Sequence, residues 1–259
     1  MIDVHCHLEQ SDYDKDRDQV VEDCKKDLKA IITSCAHPMD FDLTMQMSEK
    51  YKNFVFASCG IHPEYIKEIS EKKIENIIEN IKQNKDRIVA IGEVGLDFYW
   101  VKEPEWQQKQ RELFIQMINL AKEMKKPLVI HSRNCHEETI RILEQEDARE
   151  VDMHMFGDHH LIERITNNGW SISMNTIILR SKSHKKIARD CPLENLMLET
   201  DAPWLAPKRL LDGIEERNSP LSIRIVAEKI AEIKKVDFDT VWKSCGQNAV
   251  KFFRLPLEA

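Results

Sequence analysis

No run of about 18 apolar residues occurs in this chain, so no membrane-spanning helix is expected. The N-terminus lacks a charged segment followed by an apolar one, which argues against a signal peptide. Cys-x-x-Cys pairs are also missing. Seven cysteines lie scattered at positions 6, 24, 35, 59, 135, 191 and 245, an odd number that suits reduced thiols in a cytoplasmic setting. Basic charge is not in excess: the net charge of −7 argues against a broad cationic face for nucleic acid. It leaves room for a nucleic-acid substrate held by a metal and a few cations. No Gly- or Ser-rich linker or low-complexity tract divides the 259 residues, so one domain over 1–259 is expected. Hydrophobic residues at 42% and charged residues at 32% supply a full core and a soluble surface.

What the sequence does contain is alternation. Short apolar runs recur at "IDVH" (2–5), "KAIITSC" (29–35), "FVFASCG" (54–60), "RIVAIGE" (87–93), "PLVIH" (127–131), "EVDMHM" (150–155), "WSISMN" (170–175) and "NLMLETD" (195–201). Their brevity and continuous apolarity fit strands of a parallel sheet buried on both faces. Amphipathic stretches separate them. In 105–126, Leu113, Met117, Leu120, Ala121 and Met124 recur at 3/4 spacing, and in 135–146 Thr139, Ile142 and Leu143 share one stripe. Further helices are expected near 219–235 and 237–253. Eight strand–helix units in about 250 residues predict an α/β fold, a parallel (β/α)8 TIM barrel with an extra C-terminal helix. A doubly wound open sheet is the alternative. The proline-marked segment 202–220 reads as a long loop after the eighth strand, at the functional end of such a barrel.

The strand ends carry the chemistry. Asp3, His5 and His7 alternate along the first strand and should share a face, with Ile2, Val4 and Cys6 on the other. Strand four runs into Glu93, strand five ends in His131, strand six in His154 and strand eight in Asp201. Singly, each is an ordinary core histidine, cap or turn residue. Together at one rim they form a metal-ligand set. Four imidazoles and two carboxylates exceed what one zinc ion with an open position requires, so two divalent ions bridged by a carboxylate are expected. Imidazole with carboxylate accepts Mg, Zn, Mn or Co. Two-metal sites favour in-line displacement at phosphorus, and Asp201 is placed to take a proton from water polarised by the ions. His62, Arg133, Arg217 and Asn218 are candidates for binding phosphate. Trp204 can stack on a base or pack its loop. His37, His136, His159, His160 and His184 read as surface residues.

These segments have a counterpart. "MIDVHCHL", "GIHPEY", "AIGEVGLDFYW", "PLVIHSRN", "LETDAPWLAP", "RNSP" and "GQNAVKFF" resemble, in order and spacing, the signature segments of the TatD-related deoxyribonucleases, metal-dependent hydrolases built on a TIM barrel. The resemblance spans essentially the whole chain. It implies that His5, His7 and Asp201 hold one ion, that His131 and His154 hold the other, and that Glu93 bridges. It also implies phosphodiester hydrolysis, with 3′–5′ exonuclease action on single-stranded DNA ends. One segment departs: relatives carry His-x-Phe-Ser/Thr-Gly after strand six, whereas this chain has "HMFGDHH", placing Asp158 where a carboxylate can repel phosphate.

Three rival functions use the same scaffold. C–N bond amidohydrolases commonly carry a carbamylated lysine at the end of strand four, where this chain has Glu93. Aminoacyl-tRNA deacylation is an ester cleavage that the same ions can support. A non-catalytic scaffold with a relic site is disfavoured by the complete ligand set. No motif identifies a protein partner, and a monomer is expected.

Overall fold

A computed structural model describes residues 1–213 and 216–258; two residues of the loop expected over 202–220, and the last residue of the chain, lie outside the described set. Eight strands follow one another around a single parallel sheet: β1 Ile2–Cys6, β2 Ala30–Cys35, β3 Val55–Cys59, β4 Ile88–Asp97, β5 Leu128–Arg133, β6 Val151–His154, β7 Ser171–Met174 and β8 Leu196–Leu198. Each hydrogen-bonds the next in parallel register, with helices in the connections, as the alternation predicts for a (β/α)8 barrel. Two helices, Ile223–Lys234 and Phe238–Phe253, follow β8 after its loop. That loop is not wholly irregular, since Pro207–Asp212 forms a short helix opened by proline and ended by left-handed Gly213.

Two apolar clusters fill the molecule. The larger lies between strands and helices, where Leu113, Met117 and Leu120 of the helix Pro104–Met124 and Ile142 and Leu143 of His136–Gln145 are buried as the spacing requires. The smaller joins Ile2, Val4, Ile32, Ala90, Val129 and Met197, from five different strands, to Ala249, Phe253 and Leu255. That is a barrel interior plugged by the last helix. All seven cysteines are buried and unpaired, and no helix among the described residues is long and apolar enough to cross a membrane.

Three departures from simple strands shape the mouth. β1 does not alternate cleanly: its register against β2 slips between Asp3 and Cys6, so Cys6 joins the outer cluster while Ile2 and Val4 stay in the inner one. The amide freed by this bulge, His5 N–H, donates to Asp3 Oδ1 at 3.2 Å. β4 does not stop at Glu93 but continues to Asp97, pairing Val94, Gly95, Leu96 and Asp97 with β5 from Ile130 to Arg133. Gly95 is required there, because at φ +145° a Cβ would stand 2.0 Å from the His131 carbonyl oxygen. β8 is shorter than expected and makes no ladder with β1 among the described residues. Side chains and turn amides close that seam. Thr200 N–H and Oγ1–H donate to the two Asp3 carboxylate oxygens at 3.1 and 2.5 Å, and Asp201 N–H donates to His5 O at 2.9 Å.

Replacing Asp3 by Ala strands the His5 amide and the Thr200 hydroxyl, while Thr200 N–H keeps His5 O at 3.3 Å, and leaving such groups unpaired costs about 1–3 kcal/mol each. Asp3→Ala should therefore lower stability to urea by at least about 2 kcal/mol. Asp16→Ala, which breaks an exposed bridge to Arg217, should cost less than about 1 kcal/mol. Equal effects of the two substitutions would show that the seam does not depend on Asp3.

Candidate metal centre

The barrel brings His5, His7, Glu93, His131, His154 and Asp201 to one cavity of about 390 Å³ at the C-terminal ends of the strands. Glu93 stands at its centre, and its two oxygens face different donor groups. Oε2 lies 3.4 Å from His5 Nε2 and 3.9 Å from His7 Nε2; Asp201 Oδ1 completes this group at 3.8 and 3.6 Å from the same two nitrogens. Oε1 lies 2.9 Å from His131 Nδ1, 3.7 Å from His154 Nε2 and 3.5 Å from His62 Nε2. His5 Nε2 and His7 Nε2 are only 3.0 Å apart. Ligands about 2.1 Å from a shared ion stand about 3.0 Å apart at right angles and about 4.2 Å apart in opposition, and the separations of 3.0–3.9 Å in the first group fall within that span.

Buried carboxylates behind the rings decide which nitrogens are available. A carboxylate only accepts, so the ring nitrogen beside it carries the proton. His7 Nδ1 is 2.9 Å from Glu9 Oε1, His154 Nδ1 is 2.7 Å from Glu199 Oε2, and His131 Nε2 is 2.8 Å from Asp97 Oδ2. This turns His7 Nε2, His154 Nε2 and His131 Nδ1 towards the cavity, the pattern by which carboxylates orient metal-bound imidazoles; with no cation bound, His131 Nδ1 faces Glu93 Oε1 at 2.9 Å and carries a proton as well. The backing groups are themselves fixed: Thr33 donates to Glu9, Ser173 and Asn175 donate to Glu199, and the Tyr99 and Trp100 amides donate to Asp97. Only His5 lacks such support, its buried Nδ1 having no hydrogen-bond partner among the described residues.

Glu9, Asp97 and Glu199 escaped the sequence reading, which looked at strand ends one residue at a time. A signal was present, since Glu9 follows His7 by two, Glu199 precedes Asp201 by two, and Asp97 ends "GEVGLD".

The electrostatics follow from this packing. Burial pushes Glu93 upward, but His62, His154 and His5 outweigh it and hold its carboxyl well below the usual range. Asp201 is likewise lowered, against burial, by His7 at 3.6 Å and by His154 and His5. Burial opposes protonation of His131 and His154, yet Asp97 with Glu93 raises the first to about 9, and Glu199 with Glu93 raises the second to about 10. Burial also opposes protonation of His7, which Glu9 and Asp201 raise well above its ordinary value. His5 is lowered by burial and by the neighbouring His154.

His62 and Arg133 line the cavity; Arg217 and Asn218 do not. His62 Nδ1 accepts the Glu64 amide at 3.2 Å, which leaves its proton on Nε2, facing the site as a donor. Arg133 is exposed, with its guanidinium over the Tyr99 ring at 3.9 Å. Arg217 instead pairs with Asp16 at 2.6 and 2.7 Å and stacks on Tyr13. Asn218 is buried under the mouth: its side-chain amide donates to Thr200 O at 3.0 Å, and its carbonyl accepts the Tyr13 hydroxyl at 2.8 Å. Both are taken up by bracing the β8 loop. Asp158 is not among the residues lining the cavity and caps the His160 amide at 3.0 Å, so it does not oppose an anion there. His184, expected at the surface, is buried with its Nδ1 2.8 Å from Ser181 Oγ, and His136 is partly covered.

Imidazoles raised in this way stabilise the metal-free fold below about pH 6.5, the free imidazole value, and that contribution is lost as pH rises through the folded values. Chelator-treated protein should therefore lose resistance to denaturant as pH rises from 6.5 through about 9 and 10, and a divalent cation should suppress the loss. A flat or rising profile in the chelated protein would contradict this arrangement of protons.

Known proteins resemble the chain along its whole length. Residues 2–254 match the family described as TatD related DNase. The human deoxyribonuclease TATDN3 is 35% identical, with 98% of this chain and 94% of that one aligned. An uncharacterized metal-dependent hydrolase of Methanocaldococcus jannaschii is 34% identical over 98% of this chain and 96% of its own. Among solved structures, the TatD homologue YJJV of Escherichia coli K12 superposes with a TM-score of 0.88 at 25% identity, covering 99% of this chain and 98% of that one. The chain belongs to the TatD-related DNase family.

Proposed function

We propose that this protein is a divalent-metal-dependent phosphodiesterase that shortens DNA, acting on single-stranded ends in the 3′–5′ direction. The observation that carries the reading is the placement of Glu93, whose Oε2 faces His5 and His7, with Asp201 beside both, while Oε1 faces His131 and His154. In this reading His5, His7 and Asp201 hold one ion, His131 and His154 the other, and Glu93 both. Two such ions supply Lewis acidity at the attacking and leaving oxygens of a phosphodiester. Charge supports cations at this site, since Glu9, Glu93, Asp97, Glu199 and Asp201 place five carboxylates around its imidazoles.

The chain's own residues do the rest. Asp201, kept ionised by its histidine neighbours, accepts a proton at its carboxylate from the attacking water. His62 donates Nε2–H to a non-bridging phosphate oxygen, and Arg133 offers a guanidinium to the same group. Asp97, Glu9 and Glu199 keep the rings in one tautomer throughout. Relatives named as deoxyribonucleases favour DNA over other phosphodiesters. Seven unpaired thiols suit the cytoplasm.

Glu93→Ala should fold, lose bound metal and lose at least about a thousand-fold in phosphodiester turnover, a magnitude expected when the main electrostatic stabilisation is removed. The check is a chromogenic phosphodiester assayed beside a dihydropyrimidine, with metal analysis of each purified protein. Unchanged turnover in Glu93→Ala, or faster opening of the dihydropyrimidine ring by the wild type, would overturn the assignment.

A further inference from the structure

Two tryptophans stand exposed at the mouth of the metal cavity. Trp100 is 59% exposed and Trp204 is 46% exposed, and both line the cavity rather than a convex surface. Large apolar side chains left this open call for an explanation. They are not loose. Trp100 N–H donates to Asp97 Oδ1 at 2.8 Å, and the other oxygen of Asp97 orients His131. Trp204 N–H donates to Asp201 O at 3.0 Å, and its ring lies 4.7 Å from the ring of His7. Each indole is therefore tied by its backbone to an acid of the metal centre. The first follows β4 and the second follows β8, which lie half-way round an eight-stranded barrel from each other. The two line the same cavity from these two strands, with the Arg133 guanidinium 5.6 Å from the Trp100 ring centre.

We propose that Trp100 and Trp204 are specificity-determining residues, forming the two aromatic walls of a base subsite that grips the nucleobase adjoining the scissile phosphate. This rests on the phosphodiesterase reading above. Every base has a π-face, so two indoles give grip without sequence preference, and a cation beside one of them reaches the phosphate attached to that base. A base can enter between the walls only if its faces are free, so one stacked within a duplex must first be unstacked. The chain is net acidic, which weakens the general attraction for a polyanion and gives contacts to the base more to do. Stacking is the contact available at this mouth.

The test compares a single-stranded oligonucleotide with one carrying a base-free sugar analogue at its terminal nucleotide, at the 3′ or the 5′ end, in wild type and in Trp100→Ala/Trp204→Ala. Removing the base should raise KM of the wild type about five- to a hundred-fold at one end, the range that base–aromatic stacking supplies. In the double variant the ratio of the two KM values should fall towards one, and Trp204→Phe in place of Trp204→Ala should restore much of it. A wild type indifferent to the base, or a ratio that survives loss of both indoles, overturns the subsite while leaving the phosphodiesterase reading intact. Failure of the wild type to cleave any of the oligonucleotides overturns that reading, and the subsite with it. Circular dichroism of the variants separates these results from misfolding.

Discussion

The structure depends on a solution to one electrostatic problem: five carboxylates and four imidazoles are gathered where little water reaches. Taking even one ionised carboxyl out of water costs several kcal/mol unless a partner compensates. Glu9, Glu93, Asp97 and Glu199 are all buried, and each is in hydrogen-bond or ion-pair contact with a ring nitrogen. Protons on His7, His131 and His154 are one form of compensation, and their raised affinities record it. Divalent cations are the other, and they compete for the same ring nitrogens. A cavity whose emptied state must draw in protons is built to hold positive charge.

The barrel supplies that geometry through its irregularities more than through its regular strands. The bulge in β1 sets His5 where its backbone carbonyl receives the Asp201 amide, so the first and last strands meet at the metal centre itself. Asp201 sits in the left-handed region at φ +55°, which turns the chain out of β8 and towards the cavity. Beneath that turn Asn218 holds Thr200 O, and Tyr13 and Arg217 clamp the returning segment. The catalytic end and the weakest seam of the sheet are thus one place, and side-chain hydrogen bonds replace the missing ladder.

Much of this was legible beforehand. Short continuous apolar runs fit strands covered on both faces, and eight of them between amphipathic helices point to a parallel barrel. The six donors were visible because each ends a run or lies just beyond it, and strand ends converge in this architecture. What stayed hidden depends on contacts across the barrel. Glu199 and Asp97 read as ordinary strand acids until β6 and β5 bring His154 and His131 against them. Arg217 and Asn218 have the chemistry to bind phosphate, and only the fold shows it spent on Asp16, Tyr13 and Thr200. His184 reads as a polar helix residue because its partners, Ser181 and the Met155 carbonyl, lie on two different segments. The extension of β4 beyond Glu93 was masked by glycine at 95, a poor strand former that is needed for close approach to β5.

Glu93 is proposed to lie between two cations. Anomalous diffraction from crystals equilibrated with manganese tests it most directly. Two peaks should appear, one within ligand distance of His5, His7 and Asp201 and one within ligand distance of His131 and His154, with a Glu93 oxygen on each. A single peak, or a pair in which either ion makes no contact with Glu93, would contradict the account.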